Sequence, residues 1–177
     1  MPRYTDDNAA VQLDPSVWEL PGAMPEISPS PDFGTNIDRL FTERSMALQA
    51  WGTYGVLWPV VHYELGIAPD IGRGRLAVVP QIPVHQSRVS ATHVRLGDGA
   101  IGVVATRGAH RLVTVVQQSR RWQLTIGALL PTGSSVVSVR LDGHPATYDV
   151  VRTARGREVL VNGGRGRGTT QLVVRLR

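Results

Sequence analysis

From residue 67 onward the chain is written in short runs rich in Val, Thr and Leu, separated by turn residues, and this text admits few folds. Nine runs qualify as strands, beginning at residues 75, 92, 100, 110, 121, 135, 146, 158 and 170. Asp98-Gly99, Asp142-Gly143 and Asn162-Gly163 fall between runs, where two-residue hairpin turns belong. Regular spacing of short strands and turns predicts an antiparallel β-sandwich over 67–177, with 75–177 able to fold alone. The Gly-Arg pairs at 72–75 and 163–168 have no fixed period. The bland reading of the second is a Gly-rich hairpin loop on a solvated basic face.

The first 66 residues are a different text. Tyr4, Trp18, Phe33, Phe41, Trp51, Tyr54, Trp58 and Tyr63 all lie there, and only Trp122 and Tyr148 follow. Prolines at 15, 21, 25, 29 and 31 exclude a long helix or a central strand over 14–33 and predict a stiff, extended loop. Thr42 is a suitable N-cap, with Glu43 in the first turn, for a helix that runs to a stop at Gly66. Apolar residues occupy nearly every face of that helix, so it is patterned for burial by partners that 1–66 does not supply. Left uncovered, it predicts self-association. Pro59 predicts a kink. The chain therefore reads as two parts, 1–66 and 67–177.

Several function classes fall away. The sequence has no cysteine, which removes disulfides, thiol nucleophiles and thiolate metal sites, and no metal or other cofactor is expected. No apolar run reaches the length of a membrane span and no leader pattern opens the chain, so a cytoplasmic address is the expectation. Charge reverses along the chain: 3 Arg against 9 carboxylates in 1–66, net −6, and 16 against 5 in 67–177, net +11. Such asymmetry fits docking parts or a nucleic-acid partner. No nucleic-acid-reading motif accompanies the arginines, which are spread among the strands, so nucleic acid is not the expected partner.

Phosphate-binding loops, nucleophile elbows and metalloprotease motifs are missing, and the five histidines do not cluster. Carboxylates are the remaining source of chemistry. Glycoside hydrolysis needs an acid and a base or nucleophile in a cleft whose aromatic rings stack on sugars. Glu26 sits in the Pro-stiffened segment Met24-Pro25-Glu26-Ile27-Ser28-Pro29, between Trp18 and a helix carrying Trp51, Tyr54 and Trp58. An exposed loop glutamate is the competing reading. Glu43 has a stronger one, since a helix favours a carboxylate in its first turn without any chemistry.

LPGAMPEISPSPDF, ERSMALQAWGTYGVLWPVVHYELGIAPD, GRGRLAVVPQIP and VRLGDGAIGVVA together resemble the end of bacterial, especially actinobacterial, glycogen-debranching-type proteins of the six-hairpin glycosidase superfamily. The resemblance is strongest over 20–105. It implies the closing end of an (α/α)6 barrel, loop plus long buried helix, followed by the β-sandwich domain. It makes Glu26 of Pro25-Glu26 the candidate base of an inverting, α-glucosidase-like hydrolysis, with Glu43 as runner-up. Gln49-Ala50-Trp51 matches the barrel-closing helix, and Trp18, Trp51 and Tyr54 become the substrate-stacking candidates. The general acid would lie outside this chain, which is then inactive alone. An α-glucan or oligosaccharide is the implied ligand, and the remaining barrel, as a separate chain, an implied partner.

A competing reading places function in the sandwich, as a non-catalytic carbohydrate-binding or docking module. Exposed coplanar rings would support it. Of the two rings available, Trp122 alternates with Arg121 and Gln123 as a core residue does.

Overall fold

The computed structural model describes residues 2–13 and 53–177. The chain divides into two compact units, Met1–Val60 and Val61–Arg177.

In the first unit, helix α1 spans Pro2–Leu13 and lies against α2, Thr53–Pro59. Proline suits the first turn of α1, where its missing N–H has no helical partner to lose. The sequence reading had assigned no helix there. The long helix expected to reach Gly66 is cut short. Past Pro59 the α-helix gives way to a π-helical turn, Val60–Glu64. Proline offers no N–H to the carbonyl four residues back and its ring crowds that carbonyl, so the backbone opens into the wider turn. Leu57 and Trp58 on α2 are about half exposed. The N-terminal half of the expected helix, and all of the expected barrel loop, lie outside the described residues.

The second unit is one nine-stranded sheet. Its strands are β1 Ile67–Asp70, β2 Arg75–Val78, β3 Arg88–Leu96, β4 Gly99–Gly108, β5 Arg111–Leu129, β6 Val136–Leu141, β7 His144–Pro145, β8 Asp149–Thr153 and β9 Gly156–Leu176. Two of these form a spine. β5 and β9 pair antiparallel from Arg111↔Arg175 to Leu129↔Glu158. The first part of β5 also pairs with β4, and β4 with β3, while the last part of β9 pairs with β6. Beyond the middle of the spine, β2 joins β5, β1 joins β2, and β8 joins the start of β9.

The spine doubles back on itself. The Thr114 hydroxyl donates to the Gly127 carbonyl at 2.9 Å, both groups within β5, whereas 13 extended residues would span roughly 43 Å. Bending occurs where the register slips. Three β5 residues, Ser119, Arg120 and Arg121, face only Arg167 between the pairs Gln118↔Gly168 and Trp122↔Gly166, and Gly163 is an extra residue between Asn162 and Gly164. Gly164 and Gly168 adopt φ of 76° and 106°, which side chains resist. The two halves of the sheet thus face each other as a sandwich with continuous strands through its fold. Core side chains alternate along both halves, among them Ile101, Val103, Val116, Leu124, Ile126, Val159, Leu172 and Val174, each under 2% exposed. Each contributes about 1.5–3 kcal/mol of burial.

The strand count matches expectation while several identities do not. The runs at 110 and 121 fuse into β5, and those at 158 and 170 into β9, so Asn162-Gly163 is a bulge and 163–168 a strand bend rather than a hairpin loop. β1 and β7 are additions. The sheet is mixed rather than antiparallel, because β2 runs parallel to β5. Asp142-Gly143 does form the two-residue turn, with φ of 49° and 84°. The β3–β4 turn lies one residue earlier than expected, at Gly97-Asp98.

Candidate functional site

Glu26, Glu43, Trp18 and Trp51 lie outside the described residues. Tyr54 belongs to α2. No described group of three or more His, Cys, Asp or Glu residues could hold a metal ion, and no described helix is long and apolar enough to cross a membrane.

Four carboxylates of the β unit make structural contacts. Glu158 is 4% exposed and accepts from Thr153 and Arg155. Asp142 accepts the Gln171 backbone N–H at 2.7 Å. Asp98 pairs with Arg120 at 2.9 Å and Asp70 with Arg73 at 3.4 Å, both at the surface where such pairs contribute little. Trp122 is 5% exposed, as its alternation predicts, and Tyr148 is 39% exposed. The β unit therefore presents no pair of exposed rings for a sugar among the described residues.

One concavity of the β unit is a cleft of about 460 Å³ where one end of the sandwich opens. Its floor includes Ala105, Leu112, Ala128 and Leu130, and its walls carry Arg107, Arg152, Arg155 and Arg157. No described Asp or Glu lines it. The four cations are held differently. Arg107 fastens the loop after β2, donating to the carbonyls of Ile82, Pro83, Val84 and Gln86 at 2.7–3.3 Å. Arg155 is bound to Glu158 and to the Val79 carbonyl. Arg157 gives Nη2 to the Ser134 carbonyl at 2.7 Å. Arg152 is exposed and has no hydrogen bond or ion pair to a described residue.

Sequence reasoning passed over these arginines as scattered among the strands. A signal was available in strand parity. Arg107 shares its parity with Ile101, Val103 and Ala105, all buried, so it stands on the core-facing side of β4.

No protein-family model matches the sequence, and no curated protein matches it. Among solved structures, the α-L-rhamnosidase of Dictyoglumus thermophilum aligns with 75% of this chain at 6% identity and a TM-score of 0.46. Streptomyces avermitilis α-L-rhamnosidase, solved with L-rhamnose, aligns with 82% at 18% identity and a TM-score of 0.43. Both neighbours are glycoside hydrolases, and neither is a glycogen-debranching protein. The chain covers only 15% and 13% of their lengths.

Proposed function

We propose that this chain is the C-terminal portion of a glycoside hydrolase acting on α-glucan or glycogen-type substrates. In this reading residues 1–66 belong to its helical catalytic barrel and 67–177 form a non-catalytic β domain. Glu26 is the base that activates water in an inverting hydrolysis, Glu43 the runner-up, and Trp18, Trp51 and Tyr54 stack on the sugar. The observation that carries the division of labour is that no described carboxylate lines the cleft of the β unit, Asp149 being exposed on another face of β8. Glu158, Asp142, Asp98 and Asp70 are all bound in structural contacts. Hydrolysis by an acid and a base has no foothold there. The residues that could supply it are the barrel carboxylates, whose motifs carry the family resemblance.

A second reading, a β domain that binds carbohydrate without catalysis, draws on the cleft itself, which has the size of a small-ligand site.

The test supplies the context of a complete barrel, as one polypeptide or as a co-expressed second chain, and measures glucose release from α-glucans. This chain alone is expected to release none. With a general acid restored, Glu26→Gln is expected to lower the rate by about 10²–10⁴-fold. Full activity in that variant would transfer the role to Glu43. Binding of α-glucan without hydrolysis in the complete context would favour the second reading.

A further inference from the structure

We infer that the open end of the sandwich is a binding site for a small organic anion, a carboxylate or phosphate ester carried on a body of about one sugar ring. The argument begins with register. Arg152 on β8 is the direct cross-strand partner of Arg157 on β9, as Val150 is of Val159 two residues on. Residues two apart share a face, so both arginines share the face of Val159, which is fully buried, and of Val150, which is 47% exposed at the sheet edge; both are exposed and line the cleft at its open end. Arg107 occupies the equivalent side of β4. Three cations thus enter one cavity from both halves of the sheet, at positions that elsewhere in the same strands hold Val, Ile and Ala.

Like charges placed directly opposite on a ladder repel. The pair at 152 and 157 is left uncompensated, because Glu158 is engaged by Arg155 and Asp149, at odd spacing from Arg152, belongs to the other face. An oxyanion between the two guanidinium groups removes that repulsion and offers a planar fork on each side the acceptor it fits. The rest of the cleft describes the body of the ligand. Leu112, Ala128 and Leu130 make an apolar floor, while Gln81, Thr106 and Thr132 supply hydrogen-bonding groups at the walls. A sugar ring has the matching division, apolar on its C–H face and polar at its rim. The anion chemistry stands on the cleft alone; the choice of a saccharide body rests on the carbohydrate reading proposed above.

Inward-pointing charges on an edge strand can also serve only to discourage sheet-to-sheet aggregation, and the experiment separates the two roles. The whole chain is titrated calorimetrically with glucose 6-phosphate, glucuronate, glucose, inorganic phosphate and benzoate. Arg152→Gln and the double variant Arg152→Gln/Arg157→Gln are compared with the original. Saturable binding of a sugar anion, weakened by salt, absent for glucose and lowered at least about tenfold in Arg152→Gln, is the expected result. The Arg152 side chain has no bonded partner among the described residues, so the single variant keeps the test valid even where the double variant fails to fold. No binding of any anion, or unchanged binding in Arg152→Gln, overturns the site and leaves edge protection, read as aggregation of the variants. Inorganic phosphate or benzoate binding as tightly as the sugar anions overturns the saccharide body, and with it this link to the carbohydrate reading, whatever the barrel assay gives.

Discussion

Glu158 holds Arg155 through a single oxygen: Oε1 lies 3.0 Å from both Nε and Nη2, and 2.6 Å from the Thr153 hydroxyl. Only 5% of the Glu158 side chain and 20% of the Arg155 side chain is exposed. Arg155 also donates to the Val79 carbonyl at 2.9 Å, so the pair ties the β8–β9 hairpin to the end of β2. Removing one partner strands the other charge. Glu158→Ala is expected to destabilise the chain by about 3 kcal/mol, measured as a lower urea midpoint at unchanged slope. A loss no larger than that of a surface ion pair would show that Arg155 finds water in its place.

Thr114 makes a second cross-link, from one half of β5 to the other. Thr114→Val keeps the shape and removes the donor, leaving the Gly127 carbonyl unpaired in a buried setting. A cost of about 1–3 kcal/mol is expected, together with faster amide exchange near Gly127. Exchange unchanged there would mean that the two halves are held by packing alone.

Glycine substitutions should divide sharply. Gly66 has φ of 66°, and a Cβ there would land on the Val79 carbonyl, whose own N–H is bonded to Gly66. Gly133 has φ of 78° with open space around it. Gly133→Ala is expected to cost about 1 kcal/mol for the backbone alone, and Gly66→Ala at least about 3 kcal/mol, since a backbone carbonyl must also move. Thermal melts of the two variants give the comparison.

Much of the β unit was legible because burial alternates with period two, and alternation was visible in runs such as AIGVVATR and HRLVTVVQQ. The fused strands were not. A bend that spends glycine and extra residues looks, in sequence, like the end of one strand and the start of another, so Asn162-Gly163 imitated a hairpin turn. β1 and β7 were missed because each is short and holds a proline, Pro69 or Pro145, that argues against a strand. The parallel pairing of β2 with β5 is a long-range choice that no local pattern encodes. As for sites, the carboxylate and aromatic candidates of 1–66 were chosen by motif, while the arginine cleft depends on which ends of distant strands converge.

Where the β unit begins is open to direct test. The backbone N–H of Gln81 is shared between the carbonyls of Tyr63 and Glu64, both at 3.1 Å. A 61–177 piece is expected to give a β-type circular dichroism spectrum and one cooperative melt. A 75–177 piece loses those acceptors and all of β1, and is expected to melt lower by several degrees. Equal melting points would place the start of the unit later than these contacts do.

The spine has a consequence for synthesis. Arg111 to Gln118 pair with Gly168 to Arg175, whereas Leu129 pairs with Glu158. As the chain leaves a ribosome, the half that pairs Trp122–Leu129 with Glu158–Gly166 can form first, and the other half must wait for residues 168–175. Until they emerge, the start of β5 exposes a strand edge, and β4 and β5 the apolar face meant for the core. The fold is thus most vulnerable to aggregation until the last third of β9 is made, and loss of 173–177 would strip Arg111–Val113 and the start of β6 of their partners.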